Sequence, residues 1–112
     1  MKVLSIGNSF STDAHRYLHM AAKAGDYDLK SVNLYIGGCP LSQHFKNMNN
    51  DAKAYALQFN GQGTGFSVTI KEALQSDDWD YITLQQASRL SVDYDTYYPY
   101  INELSKYIRY HA

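Results

Sequence analysis

Hydrophobic and polar positions along this chain switch repeatedly between a strand-like and a helix-like period. Val3-Leu4-Ser5-Ile6 is a short, mostly apolar run closed by Gly7, which predicts a buried strand. Ser11, Thr12 and Asp13 then offer N-cap oxygens, and Ala14, Tyr17, Leu18, Ala21 and Ala22 recur at helical spacing. Gly25 stands where a left-handed residue ends such a helix. Residues 3–25 therefore read as strand, tight polar turn and helix.

A second strand is predicted around Ser31 to Ile36, stopping at Gly37-Gly38, and a short helical or irregular stretch with Gln43, His44 and Phe45 follows Pro40. Residues 54–69 read as a β-hairpin inserted between the main elements, turning at Asn60-Gly61. Glycines at 61, 63 and 65 leave a loose loop open instead. Ile70 to Leu74 fits a short helix, ended by the polar Ser76-Asp77-Asp78, which with Asp80 reads as a solvated loop. Trp79 to Leu84 is the third core strand and runs into Gln85-Gln86-Ala87-Ser88. The last helix starts near Asp95 or Thr96, with Pro99 in its first turn and Tyr97, Tyr100, Ile101, Leu104, Tyr107 and Ile108 as its apolar stripe. Strands alternating with helices imply a three-layer α/β/α fold around a parallel sheet.

Composition narrows the class without naming a function. A chain of 112 residues is one domain, and its 45% hydrophobic and 19% charged residues are ordinary for a globular protein. A formal charge of -1 gives no electrostatic case for nucleic acid or an anionic membrane as partner. Cys39 is the single cysteine, so no internal disulfide forms; it reads as a pocket-lining or buried thiol. No run approaches a membrane span, and the apolar stretch before Gly7 is too short for a signal peptide, so a cytoplasmic location is expected. The 11 tyrosines read first as packing residues, although their flat faces also suit sugars.

Candidate chemistry gathers at the carboxyl ends of the three core strands, where open parallel sheets bind ligands. A serine between a strand and a helix N-terminus, as Ser9 is, sits among free N–H groups and a dipole that favour a nearby negative charge. A tetrahedral oxyanion needs such a place. Glycine after the second strand lets backbone approach a substrate, and a side-chain amide after the third can supply a further donor.

Ile6-Gly7-Asn8-Ser9-Phe10-Ser11 resembles the first block of SGNH/GDSL hydrolases, in which a Gly-Asp/Asn-Ser turn carries the nucleophile. Tyr35-Ile36-Gly37-Gly38-Cys39 resembles the second block, and Trp79 to Ser88 occupies the place of the third. The resemblance implies a flavodoxin-like SGNH hydrolase fold and a serine esterase or deacylase acting on a small acyl group, on carbohydrate or a similar ester, with no cofactor and no metal. It implies Ser9 as nucleophile and oxyanion donor, and Gly38 as second donor, or Gly37 one residue earlier. Gln86, or Gln85, would replace the family's third-block asparagine. Asn8, Gly37, Gln85 and His44 would border the substrate.

One departure is large: no Asp-x-x-His block closes the chain, since Tyr98 stands three residues after Asp95. Residues 1–112 therefore read as a single, partial domain, truncated after the third core strand and its helix. A sheet cut there leaves an edge open to homodimerisation. A serine without a base is a poor nucleophile, so a non-catalytic α/β binding or self-associating module is the rival. A nucleotide or flavin binder using the Gly7 to Thr12 turn is a third reading, against which the turn lacks a glycine run and a lysine. His15 and His19 have a metal-compatible spacing but no third ligand, and read as surface residues, as does His44 apart from its bordering role; His111 reads as a frayed terminus.

Overall fold

Alternation along the first two strands decides how the layers stack. In β1 (Lys2–Gly7) and β2 (Lys30–Tyr35), Leu4, Ile6, Val32 and Leu34 point to one side and Ser5, Ser31 and Asn33 to the other. Between them runs α1 (Ser9–Ala24). After β2 come α2 (Leu41–Asn50), β3 (Tyr55–Phe59), β4 (Gln62–Val68), α3 (Ile70–Leu74) and β5 (Tyr81–Leu84). A single 3-10 turn over Tyr94–Tyr97 then precedes α4 (Tyr100–His111). The computed structural model describes residues 1–25, 28–60, 62–87, 90 and 93–111, and only the backbone of Ser9, Phe10, Asp13 and Tyr94.

The strand order is β4-β3-β2-β1-β5. β1 is parallel to β2, with Gly7 opposite Tyr35, and parallel to β5, with Ile6 opposite Leu84. β3 is antiparallel to both β2 and β4. The sheet is thus mixed, which corrects the expectation of a parallel one. The hairpin forms, but it is not an insertion: β2 has an edge to offer, and β3 pairs along it with Asn33 opposite Gln58. Asn60, at φ 51, turns the chain and seals the seam, because its N–H donates to the Ser31 carbonyl and its Oδ1 accepts from the Ser31 N–H. Gly61, the second residue of that turn signal, lies outside the described residues.

The apolar face carries the hydrophobic core. Leu4, Ile6, Val32 and Leu34 pack with Leu41 and Met48 of α2, Ile70 and Leu74 of α3, and Leu104 of α4. Complete burial of each aliphatic side chain contributes roughly 1.5–3 kcal/mol. α3 is only five residues long and is held by a capping box: Glu72 N–H donates to Thr69 Oγ1, and Thr69 N–H to Glu72 Oε1, both at 3.0 Å. α4 begins four or five residues later than the sequence pattern suggests. Tyr98 is extended (φ -107, ψ 144), as a residue before proline prefers, so Pro99 lies just before the helix.

α1 covers the other face, and its seat is polar. Ser5 Oγ lies 2.7 Å from His15 Nε2, and Ser11 Oγ 2.8 Å from Asn33 Oδ1. Asn33 Nδ2 donates to Thr12 Oγ1 and to Gln58 Oε1. Tyr17, Leu18 and Met20 face outward instead. His15 is therefore buried, not a surface residue. At the amino end of the strands, Lys2 and Lys30 grip the two Asp77 oxygens at 2.8 and 2.6 Å, so the expected solvated loop is pinned there. Hydrogen bonds from both lysines hold the Asp77 carboxyl far below the usual carboxylate range.

Candidate functional site

β1 lies between β2 and β5, so the segments leaving these three parallel strands start side by side at the carboxyl edge of the sheet. Ser9 is the first residue of the 16-residue α1, directly beyond Gly7 and Asn8. Its backbone therefore occupies the first turn, where unpaired N–H groups and the positive end of the helix dipole favour an anion. Its side chain lies outside the described residues. Gly7 lets the helix start so close to the strand: a Cβ there would overlap Ser11 Oγ and come within 3.0 Å of Gln85 Oε1. Ser11 reinforces the turn, accepting from Asn8 N–H at 3.0 Å and reaching the Asn8 carbonyl at 2.7 Å.

The loop after β2 carries Gly37 and Gly38, both exposed, and Gly38 takes the left-handed conformation at φ 63. Few other residues take that conformation without strain. Cys39 returns the chain to the interior, 2% exposed, and Pro40 stands at the N-cap of α2.

Gln86 joins these segments. It is buried, at 6% exposure, and its Oε1 accepts from the N–H of Leu41 at 2.8 Å and of Ala87 at 3.0 Å. Its Nε2 donates to the carbonyl and hydroxyl oxygens of Thr96, at 3.2 and 3.0 Å. Its main-chain oxygen accepts from Asn8 Nδ2 at 3.2 Å. Gln85 differs: half-buried, it points its Oε1 towards Gly7, where that atom is buried without a hydrogen-bond partner among the described residues. Ser88 lies outside the described residues.

The sequence-predicted residues thus fall into two groups. Asn8, Ser9, Gly37, Gly38, Gln85 and Gln86 share the carboxyl edge of the sheet. His44 does not border it as an open-pocket residue. It is fully buried on α2, stacked on Tyr55 with Nδ1 2.7 Å from the Tyr55 hydroxyl and 3.6 Å from Cys39 Sγ. Its Nε2 has no partner among the described residues, and desolvation lowers its pKa to about 4. Burial also raises the Tyr55 hydroxyl above its ordinary value. The reason for the correction is spacing: Leu41, His44 and Met48 form the inward stripe of α2.

Sequence reasoning missed a second serine close to a histidine. Thr83 Oγ1 donates to Ser5 Oγ, which lies 2.7 Å from His15 Nε2, and burial lowers the pKa of His15. The pair lines an open groove of about 280 Å³ between α1 and β5, with Val3, Ala14, Leu18 and Leu84 among its apolar walls. Its geometry resembles a nucleophile and base, but two requirements fail. Ser5 lies mid-strand between Asn33 and Thr83, without the strand-end turn that presents convergent N–H donors. Among the described residues, His15 Nδ1 has no partner to orient the ring. The signal was visible as serine alternating with apolar residues in β1, which marks a polar strand face.

Among the described residues, no cluster of three or more His, Cys, Asp or Glu side chains could hold a metal, and no helix is long and apolar enough to cross a membrane.

The fold and site define a mixed α/β protein with three strand-end segments converging beside a helix N-terminus. The chain belongs to the family described as "Domain of unknown function (DUF4886)", which matches residues 2–112. It is similar to the crystal structure of a DUF4886 family protein from Bacteroides uniformis ATCC 8492, at 45% identity and a TM-score of 0.91. That match covers 99% of this chain but only 45% of the Bacteroides chain, so this sequence spans less than half the length of its relative. No curated protein matches it.

Proposed function

We propose that this chain is the nucleophile-bearing part of a serine ester hydrolase of SGNH type with a flavodoxin-like fold, acting on a small acyl ester of a carbohydrate or similar alcohol. The observation that carries the reading is the position of Ser9, first in α1 beyond the end of β1, the middle one of the three parallel strands, beside the segments holding Gly38 and Gln86. In this mechanism Ser9 Oγ attacks the acyl carbonyl carbon while its proton passes to a base. The N–H groups of Ser9 and Gly38 receive the oxyanion. Collapse of the tetrahedral adduct expels the alcohol, which takes that proton, and water then releases the acid from the acyl-serine.

The base is not supplied by the buried histidines, since His15 is engaged by Ser5 and His44 by Tyr55. We assign it to the portion of longer family members that this sequence does not span. The exposed face of Tyr98, two residues from the Thr96 held by Gln86, suits a sugar ring.

The test is hydrolysis of small acyl esters by the full gene product and by Ser9→Ala. Loss of turnover with an unchanged fold is expected; unchanged turnover would end the proposal. The second reading, a non-catalytic binding or self-associating module, is favoured by the engagement of His15 and His44 away from Ser9. It predicts concentration-dependent dimers, with β5 as the pairing edge, and no covalent capture of Ser9 by an organophosphonate.

A further inference from the structure

We infer that Gln86 is the positioning residue of this site: a buried carboxamide that sets the spacing between the Ser9 turn and the Gly38 loop without itself holding the oxyanion. The inference rests on the hydrolase reading. It concerns the residue that the sequence pattern nominates as an oxyanion donor.

Capacity decides the matter. A primary carboxamide has two N–H donors and an oxygen with two lone pairs. In Gln86 both directions of the Nε2 group lead to Thr96, one to its carbonyl and one to its hydroxyl. Both lone-pair positions of Oε1 are met by main-chain N–H groups, of Leu41 and Ala87. An amide with four partners has nothing left to offer a substrate unless one of them is given up.

Those partners define what the residue does instead. Leu41 is the first residue of α2, three positions after Gly38, so Oε1 fixes where the β2 loop ends. The Gln86 carbonyl receives the Asn8 amide, one residue before Ser9. Nε2 fastens the 3-10 turn through Thr96, whose hydroxyl also lies 2.6 Å from the Asp93 carbonyl. Three segments besides its own thus meet on one residue at 6% exposure, where hydrogen bonds are strong and unpaired groups costly. Catalytic N–H donors must be held in place before the reaction, and a shift of about 1 Å can cost a hundredfold in rate.

The experiment uses Gln86→Met, similar in length but unable to make these bonds, in the full gene product. Asp77→Asn, at the opposite end of the strands, serves as a destabilised control. Two quantities are read per folded molecule: amide hydrogen exchange at Leu41, and the rate of organophosphonate capture at Ser9. Gln86→Met should raise Leu41 exchange by at least about tenfold beyond its change in global unfolding. It should also slow capture by about tenfold to a hundredfold. Asp77→Asn should leave both unchanged.

Faster exchange at Leu41 with an undiminished capture rate would reduce Gln86 to a structural staple and overturn the inference, as would unaltered Leu41 exchange. Should Gln86→Met fail to fold, Thr96→Val, which removes the hydroxyl partner of Nε2 together with that hydroxyl's bond to the Asp93 carbonyl, must slow capture or the inference falls. A wild-type protein that takes no probe at Ser9 overturns the hydrolase reading, and the catalytic meaning of Gln86 with it. Leu41 exchange separates that failure from a missing tie.

Discussion

Asn8 Nδ2 donates to the Gln86 carbonyl oxygen across 3.2 Å, joining the turn after β1 to the segment leaving its neighbour β5. Asn8 is 2% exposed, so this bond forms away from bulk water. Asn8→Asp replaces the donor with an acceptor facing a carbonyl oxygen. It should destabilise the fold by roughly 1–3 kcal/mol, since a buried acceptor is left unpaired. Urea titration at neutral pH checks this, and a midpoint equal to that of wild type would show that the bond carries no weight.

Gly7→Ala should be more harmful than an alanine in a strand usually is. The added Cβ meets Ser11 Oγ and Cβ, which are held against Asn8 and cannot simply swing away. Overpacking of this kind costs about 1–3 kcal/mol. In a domain of this size it should lower the melting temperature by roughly 4–8 °C per kcal/mol. Gly7→Ala combined with Ser11→Gly should recover part of that loss, and failure to recover any would place the strain elsewhere.

Tyr55→Phe removes a hydroxyl that lies 2.7 Å from His44 Nδ1 and accepts from Asn47 Nδ2 at 3.3 Å. The ring keeps its packing, so the loss measures the hydrogen bonds alone. A cost of about 1–3 kcal/mol is expected, because two buried polar groups lose a partner. Equal stability of the two proteins would mean that neither bond contributes.

Acid should weaken the protein in two separable windows. His44 titrates near pH 4 in the folded state and near its ordinary 6.5 when unfolded. Between those values the unfolded chain binds a proton that the native state refuses, so stability falls as pH falls. The slope is about 1.4 kcal/mol per pH unit, reaching roughly 3 kcal/mol at the foot of the window. His15, lowered by burial, acts in the same direction from 6.5 downward. Asp77 is the opposite ionisation type: its depressed pKa gives stability that is complete above the ordinary carboxylate value and lost below it. Unfolding midpoints from pH 7 to 3 should show a shallower upper slope in His44→Asn and a shallower lower one in Asp77→Asn. An identical upper slope in His44→Asn would mean that His44 is not held neutral.

Much of the architecture was legible because period and punctuation agreed. Gly7, Gly25 and Gly37-Gly38 mark where elements end, and the three core strands fell close to their observed positions. The pairing of β3 with β2 was not legible, because an edge accepts either direction and the deciding contacts, Asn33 with Gln58 and Ser31 with Asn60, are remote in sequence. In the sequence His15 and His44 read as exposed, because histidine is more often outside. Only the inward stripes of α1 and α2 reveal their burial. The convergence of Asn8, Ser9, Gly38 and Gln86 on one edge followed from strand order. What Gln86 bonds to did not, since Leu41 and Thr96 reach it only through folded loops.

The polar seat of α1 has a thermodynamic consequence. Urea acts in proportion to the surface an opening event newly exposes. Beneath α1 lie Ser5, Ser31 and Asn33, while its Tyr17, Leu18 and Met20 already meet solvent. Lifting this helix would break hydrogen bonds yet wet little new hydrocarbon. Amide exchange within α1 should therefore respond only weakly to sub-denaturing urea, whereas exchange in α2 and α4, whose Leu41, Met48 and Leu104 share the apolar core with Leu4 and Ile6, should respond steeply. Ser9 would then ride on an element whose loosening is governed by the strength of its hydrogen bonds more than by hydrophobic burial.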